Sequence, residues 1–176
     1  MKKVLLSLVL LMAFSSLVFC ACVENNDNAS PSTVIEQPVD LGNLIDFELI
    51  RTYSDVGLND KIRSRVAMAT DVASLKSIVK QEAAAESIFD YFDEEYFEEY
   101  NVIFHFWVNS PGTASISATA VYVSSAKITV ATLSKYHSGP HPDVVYDYGL
   151  KALKVSKADV GNIKTIEELQ KYEAVD

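Results

Sequence analysis

Cysteine is nearly missing from this 176-residue chain: the only two, Cys20 and Cys22, lie within the first 22 residues. Whatever folds beyond them has neither a disulfide staple nor a thiolate metal site. Glycine is scarce as well, and none occurs between Gly57 and Gly112. The acidic run inside that interval therefore lacks the sharp glycine turn of a calcium loop. No glycine-rich phosphate loop is present, and no serine sits in G-x-S-x-G. Positive charge is the minority: 15 Lys and Arg face 24 Asp and Glu, a formal charge of −9. Such a balance argues against binding nucleic acid or adhering to anionic lipid.

What the chain does have, at its very start, is an address. Lys2 and Lys3 precede an apolar run over residues 4–19, interrupted only by serines, and Ala21-Cys22 closes the segment. This is the three-part build of a secretory signal. The run, about sixteen residues, is shorter than the roughly twenty that span a bilayer as a helix. Val18-Phe19-Cys20-Ala21-Cys22 resembles a bacterial lipobox. Cys22 follows a small residue, whereas Cys20 follows the bulky Phe19, so Cys22 is the expected lipid-bearing residue. Palmitate or a related chain on that thiol would hold the protein to a cell membrane, facing outside the cytoplasm in a bacterial cell envelope. Ordinary cleavage near Ala21 and an uncleaved N-terminal anchor are the alternatives.

Removing residues 1–21 leaves 155 residues and shifts the formal charge to −11. That length suits one domain with its own core. Residues 23–38 (VENNDNASPSTVIEQP) are polar and poor in apolar groups, as a tether is. The expected organisation is a signal over 1–21, a lipid-anchored tether over 22–40 and a single domain over 41–176.

Within that domain, residues 45–53 alternate apolar and polar side chains as a half-buried strand does, and 65–69 predict a second strand. Thr70 or Asp71 is a plausible cap for a helix over 71–81, with Val72, Leu75, Ile78 and Val79 on one stripe. Phe89, Phe92 and Tyr96 share one face of a second helix within 89–100, whose acids would be solvated. Residues 102–108 are apolar on both alternating sides, the pattern of a strand covered on both faces. Pro111-Gly112 predicts a turn, 115–123 and 127–133 a hairpin, 135–143 a polar loop and 144–155 a long strand. Residues 165–172 read as a terminal helix with Glu167 and Glu168 near its start. The expected class is α+β, with short helices packed on an antiparallel sheet of about five or six strands.

The segments DVASLKSIV, FDEEYFEEYNVIFHFWV, NSPGT and VVYDYGLKALKV, between residues 70 and 157, resemble a domain of secreted bacterial lipoproteins. They are also distantly similar to the C-terminal domain of the protease complex subunit PrcB. That resemblance implies an accessory role rather than a peptidase, and carries no catalytic residue onto this chain. The Asn109-Ser110-Pro111-Gly112 turn departs from the richer glycine and serine turn of the pattern.

The candidate chemistry is sparse, and no cofactor is implied. His137, His141 and Asp143 fall in H-S-G-P-H-P-D, where imidazole and carboxylate could bind zinc or move protons. Gly139 and Pro140 between the histidines deny the helical register that would put both rings on one face. A hydrolase using this loop is one reading of function, and a solvent-exposed turn is the plainer one. His105 and Trp107 share a strand side and could form a ligand platform with Tyr122, Tyr146 or Tyr148, with His137 and His141 beyond. Packing is the competing explanation, since aromatics mostly supply buried area. The favoured reading is a membrane-anchored, non-catalytic binding or accessory module whose partner is an envelope protein or peptide.

Overall fold

The structure is a computed structural model that describes residues 41–139 and 147–175, all within one compact unit. The signal segment with Cys22, the tether, His141, Asp143 and Tyr146 lie outside the described residues. The fold is α+β, with eight strands in two sheets of four.

The strands are β1 (Asn43–Ile45), β2 (Glu48–Ser54), β3 (Val66–Ala69), β4 (Tyr100–Asn109), β5 (Thr113–Val123), β6 (Ile128–His137), β7 (Asp147–Ser156) and β8 (Ile166–Val175). One sheet runs β2-β7-β4-β3 and is antiparallel throughout. The other runs β1-β5-β6-β8, with β8 parallel to β6. The single sheet expected from sequence is thus divided in two. The expected strand over 45–53 breaks at Asp46-Phe47, because β1 pairs with β5 while β2 pairs with β7.

β4 sits at the centre of this arrangement. It pairs along its whole length with β7, from Tyr100 opposite Ser156 to Asn109 opposite Asp147. Val102 and Phe104 face a helical layer and join Val56, Leu75, Ile88, Phe92 and Phe97 in one core. Ile103 faces the second sheet and joins Val121, Ile128, Val130, Leu153 and Val155 in another. Each fully buried large side chain contributes roughly 1.5–3 kcal/mol. The chain passes from one sheet to the other at the Ser110–Thr113 turn, where the Thr113 amide donates to the Ser110 carbonyl at 2.9 Å and Gly112 takes φ +85°.

The helical layer is made of short pieces. α1 (Val72–Ile78) starts at a capping box: Asp71 Oδ1 accepts the Ser74 amide at 2.6 Å, and Ser74 Oγ accepts the Asp71 amide at 3.1 Å. It ends earlier than the apolar stripe suggests because Val79 bridges to Leu58 in extended conformation. A 3₁₀ turn (Ala83–Ala85) leads into α2 (Glu86–Tyr91). The expected helix over 89–100 is interrupted after Phe92, and Asp93 Oδ1 accepts the Tyr96 amide to begin α3 (Tyr96–Glu99). Phe92 survives the break because it is fully buried, edge-on to Tyr96 at 4.9 Å and to Phe104 at 5.8 Å.

The expected terminal helix over 165–172 is instead β8, preceded by the one-turn α4 (Lys157–Val160). Its Glu, Leu, Gln and Lys residues favour helix locally, but tertiary pairing outweighs that preference. β6 offers a full ladder from Ile128 opposite Ile166 to His137 opposite Val175. Side chains then cross-link the pair: Lys127 to Glu167 at 2.6 Å, Gln170 Nε2 to Ser134 Oγ at 3.0 Å, and Tyr136 stacked on Tyr172 at 5.9 Å. The polar loop expected from residue 135 also yields, since β6 runs on to His137.

Gly149 allows β2, β7 and β4 to approach closely. A Cβ there would collide with the Tyr53 carbonyl oxygen and stand 3.1 Å from the Trp107 ring. Gly149→Ala should therefore destabilise the fold by about 1–3 kcal/mol through overpacking. Urea unfolding monitored by Trp107 fluorescence checks this, and an unchanged midpoint would show that the strands can spread at little cost.

Candidate functional site

Between the two sheets the apolar core gives way, towards one end, to a seam of buried polar side chains. The inward row of β6 changes from Ile128 and Val130 to Thr132 and Ser134, all buried. Its neighbour β8 presents Glu168 and Gln170 beside them. From the opposite sheet β4 contributes His105, which has no solvent exposure.

His105 Nε2 stands 3.2 Å from Glu168 Oε1, a close approach rather than an aligned hydrogen bond. Thr132 Oγ1 donates to the same carboxylate oxygen at 2.7 Å. Burial pushes the Glu168 carboxyl upward, but His105, Thr132 and Arg65 outweigh it and hold the group below its ordinary value.

Trp107, two residues on, shares the His105 side and is nearly buried, with its ring against Gly149. It borders a hollow of about 320 Å³ together with Lys151, Thr52, Asn109, Ser115 and Ile116. The Lys151 ammonium donates to the Ile116 carbonyl, and burial lowers its pKa.

Of the other members of the expected platform, His141 and Tyr146 lie outside the described residues, and the described ones are not brought here. His137 is exposed at the end of β6, on the opposite side of that strand from Thr132 and Ser134. Tyr148 lies on the helical side of its sheet, 6.2 Å from Phe106. Tyr122 is only partly buried, between the inward Val121 and Val123 of β5. His105 and Trp107 are thus wall and core residues. Because β4 is covered on both faces, a histidine in it can be buried without being a ligand.

Two serines stand three residues before a lysine, Ser77 before Lys80 and Ser124 before Lys127. Neither makes a serine–lysine pair. Ser77 Oγ donates to the Ser74 carbonyl, and Lys80 turns to Glu82 and Asp60 at 3.1 and 3.9 Å. Ser124 Oγ donates to the Lys127 carbonyl, and Lys127 pairs with Glu167. Among the described residues no three His, Cys, Asp or Glu side chains converge to hold a metal ion, and no helix is long and apolar enough to cross a membrane.

A concavity lined by cationic side chains is on the helical side of the β2-β7-β4-β3 sheet, at the end the helices leave uncovered. Its cavity is about 500 Å³. Phe106, Val108 and Tyr148 line it from the strands, and the segment 57–65 with Lys80 and Glu82 closes it. Arg63 and Arg65 line it and form no ion pair among the described residues. The clue in sequence is Lys61-Ile62-Arg63-Ser64-Arg65, three cations within five residues of an acidic chain. It is easily passed over because the short segment carries no helical or strand period.

A second hollow, about 540 Å³, is lined by Tyr91, Tyr96, Tyr100 and the acids of the 93–99 segment. There the chain's own Lys154 sits 4.0 Å over the Tyr100 ring and 3.5 Å from Glu48.

No protein-family model, no curated protein and no solved structure matches this chain.

The Glu168 pKa gives a test of the seam. A carboxyl held low in the folded state adds stability above its ordinary value near 4.5 and loses it as pH falls through the lower, folded-state value. Glu168→Gln should cost about 1–3 kcal/mol at pH 7. It should also flatten the decline in stability on acidification below pH 4.5. Urea midpoints of both proteins between pH 7 and pH 3 measure this, and parallel curves would contradict it.

Proposed function

We propose that this protein is a lipid-anchored extracytoplasmic lipoprotein that acts as a non-catalytic binding or accessory module in a bacterial envelope. The observation that carries the reading is the N-terminal segment, Lys2-Lys3 followed by an apolar run and Ala21-Cys22. Lipid on Cys22 fixes the chain to the membrane, and residues 23–38 give the domain reach while keeping it concentrated near membrane-bound partners.

Two further features support binding rather than chemistry as the domain's task. The cleft beside Phe106 combines guanidinium groups that form no ion pair among the described residues with an aromatic floor, an arrangement suited to holding a ligand by charge and contact. The distant likeness of the 70–157 segments to an accessory subunit points the same way.

Metabolic labelling with palmitate should mark the wild type and Cys20→Ala but not Cys22→Ala. Crosslinking in native membranes should then capture an envelope protein or peptide with the wild type. Label retained in Cys22→Ala would place the lipid elsewhere, and recovery of only lipid and the chain itself would sink the accessory role.

A further inference from the structure

We propose that the cleft lined by Arg63, Arg65, Phe106, Val108 and Tyr148 binds a small organic anion, a single carboxylate or phosphate carried on a flat aromatic or unsaturated group. The proposal deepens the binding-module reading by naming the ligand class of that cleft.

The cleft's size falls in the range of small-molecule sites, roughly 300–1,000 Å³. Its two halves differ in chemistry. Phe106 and Tyr148 sit 6.2 Å apart with planes tilted at 55°, offering ring faces and edges to a flat apolar group. Tyr148 is 39% exposed and therefore accessible from solvent.

Arg63 and Arg65 are two residues apart and both exposed at the rim. A guanidinium is planar, permanently charged and able to grip a carboxylate or phosphate through two donors. Lys80 adds little net charge, since Glu82 and Asp60 hold its ammonium.

Those same acids decide the size of the anion. Asp60 and Glu82 at the rim, only partly neutralised by Lys80 and on a chain of formal charge −9, disfavour a second negative group and so polyanions. One anionic head therefore enters between the arginines, while its ring rests on Phe106 and Tyr148.

The test uses the full chain in detergent and ligand-observed ¹⁹F NMR with 4-fluorophenylacetate and 4-fluorophenyl phosphate. Fluorobenzene and 4-fluorobenzylammonium serve as neutral and cationic controls, with empty micelles subtracted. Saturable broadening of at least one anionic probe is expected, and the better of the two tells carboxylate from phosphate. Arg63→Gln with Arg65→Gln should weaken it at least tenfold, Tyr148→Ala severalfold, and inorganic phosphate at high concentration should compete. Circular dichroism checks that each variant is folded, and the single Arg63→Gln change substitutes if the double variant is not.

Equal broadening by the cationic probe, equal affinity of the arginine variants, or no saturable binding of either anion would overturn the proposal. Such a result beside a captured envelope partner would leave the accessory role standing and remove only the anion cleft.

Discussion

β4 must be covered on both faces, and most of this architecture follows from that requirement. Its side chains from Val102 to His105 are fully or almost fully buried, whichever way they point. A strand of that kind cannot lie in a sheet with one face to water. The helical layer, anchored by Leu75, Ile88, Phe92 and Phe97, satisfies one face. The second sheet, anchored by Val121, Ile128 and Val130, satisfies the other. The chain reaches that second sheet through the tight Ser110–Thr113 turn, returns to it from β7 through α4 to β8, and splits its N-terminal strand into β1 and β2. The break at Asp46-Phe47 lets Phe47 turn into the inter-sheet core.

The seam between the sheets is not uniformly apolar, and its polar part has a distinct consequence. A buried polar contact is weak evidence of stability, since desolvation offsets much of its attraction. Its better-attested effect is to specify register. β8 is an edge strand whose inward row carries Glu168 and Gln170 and whose side chains are mostly only partly buried or exposed, so hydrophobic burial alone would define its pairing loosely. Glu168 against His105 and Thr132, Gln170 against Ser134 and Glu167 against Lys127 each demand one alignment with β6. A slip by one residue would turn Glu168 outward and leave His105 buried against an outward-parity residue. Charge and hydrogen bonding supply the specificity that hydrophobicity does not.

The parts of the fold legible in the sequence are those where local pattern and tertiary demand agree. α1 announces itself through its stripe and its Asp71 cap, and β4 through its two apolar sides. Pro111-Gly112 marks a turn that the structure uses between sheets. The failures have a common physical origin in partners far along the chain. Residues 166–175 favour helix until β6 offers a ladder, and the 89–100 helix breaks because Phe92 and Phe97 must both reach one core. His105 and Trp107 were readable as sharing a side, but not as facing a second sheet, since nothing local records where β8 returns. The Arg63 and Arg65 cleft was visible only as an unusual clustering of charge.

The cleft's position follows from the same constraint that organises the core. The short helices cover the sheet where Phe104 and Val102 lie, and they end before Phe106 and Val108. The far end of that face falls to the 57–65 segment, held where the Lys80 amide donates to the Gly57 carbonyl at 2.9 Å, the Asn59 amide to the Ile78 carbonyl at 2.7 Å and the Phe106 amide to the Arg65 carbonyl at 2.7 Å. Segments of this kind carry binding residues readily, because they vary without disturbing the scaffold beneath them. Here the scaffold is a fully paired strand, so Phe106 and Tyr148 are held rigidly while Arg63 and Arg65 reach over from a rim.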